Sequence, residues 1–166
     1  MNTLDVKQTA AAMRDALRAS FPGAKISLRM SPGSAHGWMD ATWTDGPTPA
    51  QVGAVLRPFQ SSRFDAMDDS YRAIEQAGSV RYSCRGFNTH RAMSAEAAAH
   101  IVETINAADP TQPAILENGR VRGRAVGEEA SNRLEVRGYG GNEAGEQVVD
   151  IDLAAHQIFT RTPFLG

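Results

Sequence analysis

Five of the aspartates in the first half of the chain could together bind a divalent cation: Asp40, Asp45, Asp65, Asp68 and Asp69. Converging carboxylates can hold a metal that cuts phosphodiesters. No spacing motif requires these five to meet. Asp45 precedes Gly46-Pro47, a turn in which Asp is favoured, and Asp68-Asp69 is typical of a solvated surface. We therefore predict no metal site, and a metal-dependent hydrolase stays open as an alternative function.

The residues that could act as nucleophiles or bases do not form a recognisable set. The four histidines lie in four separate regions without a metal-binding pair, and Cys84 is the only cysteine. Cys84 alternates with Val80 and Tyr82, which predicts a buried, unreactive thiol rather than a nucleophile. A single cysteine also excludes an intramolecular disulfide and a cysteine-rich zinc site. We expect no catalytic residue and no cofactor, although an enzymatic activity stays open.

The strongest basic feature is a set of alternating arginines after the turn signal Asn118-Gly119. On a strand, alternate residues share one face. The candidate nucleic-acid contacts are therefore Arg120, Arg122 and Arg124, with Arg133 and Arg137 on a neighbouring strand. Such a face could contact phosphates or an acidic protein. Glutamates lie close by, however, and charged edge strands also oppose aggregation, so a purely solvated face is the other interpretation.

Trp38 is the candidate anchor for a protein interface. Alternation over residues 38–43 places Trp43 on one face of a strand and Trp38, Asp40 and Thr42 on the other. If Trp43 faces the core, Trp38 is exposed, as interface tryptophans are. A helix over that second face would instead make Trp38 part of the core, and both possibilities stay open.

Composition limits the class of protein. The chain has 166 residues, 42% of them apolar and 22% charged, which is typical of a globular protein. The net charge of −2 argues against a dedicated nucleic-acid-binding protein. No apolar run approaches the ~20 residues that span a membrane, and the first residues do not resemble a secretory signal. We expect a cytoplasmic protein that does not bind membranes.

The hydrophobic pattern predicts an α+β fold, an antiparallel sheet packed with helices in the order α-β-β-α-β-α over residues 1–110. The predicted elements are a helix over 3–20 capped by Thr3, a hairpin of strands 24–30 and 38–43, a helix beginning at Thr48, a strand over 79–86 and a helix over 94–108. Phe64, Met67 and Tyr71 indicate a segment that packs on the core. A small β-rich unit over 111–166 follows, with a hairpin around Asn118-Gly119 and strands over 133–138 and 147–153.

Two segments resemble a known family, Trp43–Thr48 (WTDGPT) and Arg63–Tyr71 (RFDAMDDSY). The chain resembles the twenty-ninth of the large polyvalent protein-associated domains of bacteriophages, plasmids and integrative elements. Phe21-Pro22-Gly23 before a strand and the strand over 79–85 fit the same pattern, and the resemblance covers about residues 15–108. Ala66 departs from the pattern, which has Gly after the Phe-Asp pair.

The resemblance implies a mobile-element origin, and such proteins often travel with functions that protect incoming DNA from host defence. It supplies no catalytic residues. Our leading hypothesis is a module that binds a host protein or complex, such as a defence ribonucleoprotein, as an anti-CRISPR or anti-restriction inhibitor. The expected partner-binding residues are Trp38, Asp40, Asp45, Arg63, Asp65, Asp68 and Tyr71. The alternative is a nucleic-acid-binding accessory protein that uses the arginines, and the sequence leaves the oligomeric state open.

Overall fold

Helices and strands both occur in the computed structural model, which describes residues 2–76, 78–108, 114–118, 120–123, 133–137 and 146–164. The α+β class is therefore confirmed. The chain divides into two compact units, one up to Ala92 and the other Met93–Phe164. The helix near residue 100 packs within the second unit, whereas the sequence analysis grouped it with the first.

The first unit is built around a three-stranded sheet. Its elements are β1 (Asn2–Thr3), α1 (Val6–Ser20), β2 (Ser27–Met30), β3 (Trp38–Thr44), α2 (Pro49–Leu56), β4 (Ser62–Asp65), β5 (Ser70–Ala73), β6 (Val80–Arg81) and β7 (Gly86–Ala92). The sheet order is β2-β3-β7. Two shorter pairs accompany it, the antiparallel hairpin β4–β5 and the parallel pair β1–β6.

The central sheet is mixed, not antiparallel as predicted. The hairpin β2–β3 is antiparallel, which confirms that part of the prediction, but β7 runs parallel to β3 over all seven residues of each strand. A parallel neighbour needs a long crossover. Residues 45–85 provide it, because they include α2 and the β4–β5 hairpin.

The predicted third strand over 79–86 was misplaced. Only Val80–Arg81 is a strand there, and it pairs with β1, while the third strand of the sheet is Gly86–Ala92. The apolar alternation at Val80, Tyr82 and Cys84 misled the prediction. The inward positions of β7 include Thr89 and Arg91, half-buried polar residues that give no apolar pattern.

Helices α1 and α2 supply the core of the first unit together with the inward face of the sheet. The buried apolar residues are Ala10, Met13, Leu17, Leu28, Met39, Ala41, Trp43, Val52, Leu56 and Cys84. Burying one side chain of the size of Leu or Met contributes about 1.5–3 kcal/mol, so this cluster is the main source of stability of the first unit.

Both helices begin with a capping box. In α2, the Thr48 hydroxyl accepts from the Gln51 N–H at 3.2 Å, as predicted. In α1 the cap is Asp5 rather than Thr3. Thr3 is unsuited to that role because it lies in β1, paired with Arg81.

The second unit consists of α3 (Ala95–Ala108), β8 (Ala114–Glu117), β9 (Arg120–Gly123), β10 (Arg133–Arg137), β11 (Glu146–Asp150) and α4 (Ile151–Arg161). The hairpin β8–β9 at Asn118 is confirmed. The predicted strand over 147–153 ends at Asp150, where α4 begins, and this helix was not predicted. Ile101 and Ile105 of α3 form one buried cluster with Ala154 and Ile158 of α4.

Candidate protein-binding surface

The β4–β5 hairpin exposes aromatic side chains on one face. Phe64 and Tyr71 are cross-strand partners with ring centroids 5.3 Å apart, and each is 47% exposed. Met67, in the turn that joins the strands, is 93% exposed. The prediction that these three residues pack on the core was therefore wrong. On the strands, Phe64 alternates with Arg63 and Asp65, and Tyr71 alternates with Arg72. This alternation is the sequence signal for a two-faced ribbon.

Trp38 and Arg85 extend this aromatic face. The Trp38 ring meets Tyr71 edge-on, with centroids 6.4 Å apart, and the Arg85 guanidinium carbon lies 5.3 Å from the centre of the Tyr71 ring. Trp38 is half-buried, and the Tyr71 ring that meets it belongs to the β4–β5 hairpin. We call Trp38, Phe64, Met67, Tyr71 and Arg85 the aromatic surface.

Hydrogen bonds along residues 82–86 hold the hairpin in place. The Ser61 N–H donates to the Cys84 carbonyl at 2.6 Å, and the Ser62 hydroxyl donates to the Arg85 carbonyl at 2.8 Å. The Arg85 N–H in turn donates to the Gly37 carbonyl at 2.8 Å, just before β3. The aromatic surface therefore rests on a backbone network that joins the hairpin to the sheet.

The opposite face of the hairpin is ionic. Arg72 pairs with Asp65 at 2.9 Å and also with Asp68, while Arg63 is exposed and lies across from Arg72. Exposed ion pairs stabilise by only about 0–1 kcal/mol, so these charges remain able to exchange partners. The structure thus brings Arg63, Asp65 and Asp68 onto the same hairpin as Tyr71.

The turn of this hairpin explains the departure at Ala66. The residue with a left-handed backbone is Asp69, at φ 49°, and Ala66 does not have a positive φ. Asp tolerates that region better than most residues because of its short polar side chain. The tight position of the turn is therefore at residue 69, and alanine fits at residue 66 without strain.

Asp40 lies on the outward face of the sheet. Its carboxylate accepts hydrogen bonds from the Ser31 hydroxyl at 2.6 Å and the Asn88 amide at 3.0 Å. These bonds, with His90 nearby, lower the pKa of Asp40. Asp40 and Trp38 share this face by strand alternation.

Asp45 lies at the other end of β3, roughly 20 Å from Trp38 at the usual rise per residue, and belongs to a structural corner. Asp45 and Gly46 have φ of 52° and 60°, and the Arg91 guanidinium donates to both their carbonyls at 2.8 and 2.9 Å. The Trp43 indole N–H donates to the Pro47 carbonyl at 2.9 Å. The segment Trp43–Thr48 thus forms the turn from β3 into α2.

Of the arginines predicted to contact nucleic acid, those that the structure describes lie on two separate strand pairs of the second unit. Arg120 is exposed and pairs across from Glu117, with Val121 buried, and Arg122 lies on the same strand opposite Ile115. Arg124 lies outside the described residues. Arg133 and Arg137 belong to the separate sheet β10–β11, so within the described strands they are not neighbours of β9.

Metal ligands and a reactive thiol are two chemical features expected at active sites. Among the residues that the structure describes, no group of three or more His, Cys, Asp or Glu side chains could hold a metal ion. Cys84 is buried, its thiol donates to the Gly86 carbonyl, and burial raises its pKa to about 11. Cys84 is therefore a core residue, as predicted. No helix in the described part of the chain is long and apolar enough to cross a membrane.

Comparison with known proteins identifies the family. The model of large polyvalent protein associated domain 29 matches residues 4–94. The chain belongs to this family. The match coincides with the first unit and contains both the corner at Trp43–Thr48 and the β4–β5 hairpin, which confirms the resemblance. No curated protein and no solved structure gave a significant match.

Membership in the large polyvalent protein associated domain 29 family makes this a mobile-element-associated protein. Its two motif segments have different structural settings. Trp43–Thr48 is engaged in main-chain contacts, whereas Arg63–Tyr71 presents exposed side chains. The second segment is therefore the better candidate for contact with a partner.

Proposed function

We propose that this protein is a protein-binding module that inhibits a bacterial host defence complex, of the anti-CRISPR or anti-restriction type, through its aromatic surface. The observation that carries the proposal is the exposure of Phe64, Met67 and Tyr71 on one small hairpin. Aromatic residues, Met and Arg are enriched at protein interfaces, and clustered exposed apolar groups mark interaction sites.

The family supports the choice of target class. A mobile element enters a cell that carries nucleases directed against it, so a protein that it encodes benefits the element by binding such a complex. The predicted partner-binding residues Trp38, Arg63, Asp65, Asp68 and Tyr71 lie on or beside the hairpin. Phe64, Met67 and Arg85 are added to them. Asp45 supports the corner instead, and Asp40 lies on the outward sheet face beside Trp38.

The test is affinity capture from bacterial lysate with the tagged full chain, with and without nuclease, identified by mass spectrometry. We compare the double variant Phe64→Ser/Met67→Ser with Leu153→Ser, a control on α4 that is 46% exposed. We expect a defence complex at near-stoichiometric, nuclease-resistant yield with the wild type and the control, and its loss with the double variant. The purified complex should also lose nuclease activity when the wild type is added.

Two results would overturn the proposal. One is recovery that depends on nucleic acid, which would favour the nucleic-acid-binding alternative. The other is capture of the same complex by the double variant at wild-type yield, which would exclude the aromatic surface as the contact.

A further inference from the structure

A groove adjoins the aromatic surface, and its charged lining is entirely basic. It has a volume of about 420 Å³, and its described lining includes His36, Arg81 and Arg85 but no acidic residue. Its apolar lining includes Val6, Ala73 and Ile74. The chain as a whole has a net charge of −2, so this local charge is opposite in sign to the total. We call this feature the basic groove.

The basic groove is continuous with the aromatic surface. Arg85 belongs to both, since it lines the groove while its guanidinium lies over Tyr71. Ala73 lies on the same face of β5 as Tyr71, two residues further along the strand. A partner that covers the hairpin can therefore extend into the groove without a break.

Three neutral polar side chains of the groove, those of Ser61, Gln76 and Ser83, are bonded to main-chain carbonyls of the protein. The Ser83 hydroxyl donates to the Leu4 carbonyl at 2.5 Å, and the Ser61 hydroxyl donates to the Cys84 carbonyl at 2.8 Å. The Gln76 amide donates to the Gln60 carbonyl at 3.1 Å. The groove therefore offers a ligand the charges of Arg81 and Arg85 beside an apolar wall, while these three polar side chains are engaged in the fold.

Charge and apolar surface together fit a protein segment better than a nucleic acid. Binding of single strands depends on aromatic faces on which bases stack. The Tyr82 ring is packed against Phe59, with centroids 4.7 Å apart, and one face of Tyr71 is covered by Arg85. Carboxylates, in contrast, pair with arginine in a bidentate geometry.

From the charge complementarity and the continuity with the hairpin, we infer that the basic groove binds an extended acidic segment of the protein partner. Carboxylates of that segment contact Arg81 and Arg85, and an apolar side chain between them packs on Ala73 and Ile74. The inference rests on the proposed function, because the acidic segment belongs to the same partner that contacts the hairpin.

The probe is the peptide acetyl-Glu-Val-Glu-Leu-Glu-amide, titrated into the ¹⁵N-labelled full chain and followed by amide chemical shifts. We expect saturable shifts at Gly37, Ile74 and Ser83, and none with the peptide in which Lys replaces Glu. Arg81→Gln/Arg85→Gln should weaken binding about tenfold, the sum of two exposed charge contacts. The control is Arg18→Gln, which is 74% exposed on α1 and roughly 18 Å along the helix from Val6.

Three results would overturn the inference: no saturable shifts, shifts that survive in the double arginine variant, or tighter binding of an eight-residue oligothymidylate at the same amides. The last would assign the groove to single-stranded nucleic acid. The two proposals fail separately. If capture of the defence complex requires Phe64 and Met67 but is unchanged in Arg81→Gln, only the groove inference fails, because Arg81 lines the groove and lies outside the aromatic surface. If the peptide binds in the groove but no defence complex is captured, the proposed function fails.

Discussion

The indole ring of Trp38 packs against Gly86, its partner across the parallel strands β3 and β7. A Cβ atom on Gly86 would lie 2.7 Å from the ring, closer than any side chain can approach. The same indole meets Tyr71 edge-on. The absence of a side chain at residue 86 therefore sets the position of Trp38, and Trp38 in turn supports the aromatic surface.

Gly86→Ala should displace the indole and lower the free energy of unfolding by about 1–3 kcal/mol, the usual cost of overpacking. Urea denaturation measures the loss, and near-UV circular dichroism reports the change around the tryptophan. Gly53→Ala is the control, because the added Cβ would be 3.9 Å from Phe87 and the site is helical. There alanine should stabilise by about 0.5–1 kcal/mol. Equal stability of Gly86→Ala and the wild type would contradict the packing argument.

Arg91 closes the corner between β3 and α2 by donating to the carbonyls of Asp45 and Gly46. Burial lowers the pKa of Arg91, with Asp45 acting in the opposite direction, so the charge is partly desolvated yet paired. Arg91→Gln should therefore lower the free energy of unfolding by about 1.5–3 kcal/mol, the range for hydrogen bonds to charged groups. Thermal and urea denaturation would measure this.

The exposed Arg57 provides the matched control. Arg57→Gln should change the stability by less than about 0.5 kcal/mol, as most surface substitutions do. If both substitutions cost the same, the Arg91 contacts do not hold the corner.

The sequence was sufficient for features that depend on local chemistry. The capping box of Thr48 and Gln51, the β2–β3 hairpin and the turn at Asn118 each follow from residues a few positions apart. The parallel pairing of β7 could not be predicted in this way. It depends on contacts between residues 48 positions apart, and Arg91 on its inward face is accommodated by carbonyls of a distant turn.

The candidate surface was predictable only in part. Trp38 and Tyr71 were expected as partner contacts, but their proximity depends on the hairpin being anchored by Ser61 and Ser62 to residues 84 and 85. Phe64 and Met67 were assigned to the core because apolar side chains usually are buried. Only the register Phe64–Tyr71, set by a four-residue turn, reveals that Phe64 and Tyr71 lie together on the open face.

Asn106 joins α3 to β8 in the second unit. Its amide donates to the Ala114 carbonyl at 3.1 Å, and its carbonyl accepts from the Ala114 N–H at 2.6 Å. Ala114 is buried, so Asn106→Ala would leave both main-chain groups without these bonds. We expect a loss of about 2–3 kcal/mol in the free energy of unfolding, the cost of stranded buried groups.

Hydrogen exchange gives a local readout of the same contact, because the Ala114 amide should exchange faster in Asn106→Ala. The control is Thr104→Ala, an exposed residue on the same helix whose hydroxyl donates to the His100 carbonyl. Unchanged protection of Ala114 in Asn106→Ala would mean that another group satisfies this amide.

Cys84 makes stability depend on pH in the alkaline range. Its ordinary pKa near 9 is raised to about 11 by burial, so between these values the unfolded chain loses a proton that the folded chain keeps. The contribution is fully present below pH 9 and is lost as the pH rises toward 11. Cys84→Ala should be less stable at pH 8, by about 1–2 kcal/mol for the lost packing. The difference should shrink by at most about 1.4 kcal/mol per pH unit above pH 9. Urea denaturation of both proteins at pH 8 and pH 10.5 measures this difference, in which the other titrating groups cancel.

The Cys84 thiol should also react with a disulfide reagent at pH 8 far more slowly in the native protein than in denaturant. Equal rates would show that Cys84 is accessible.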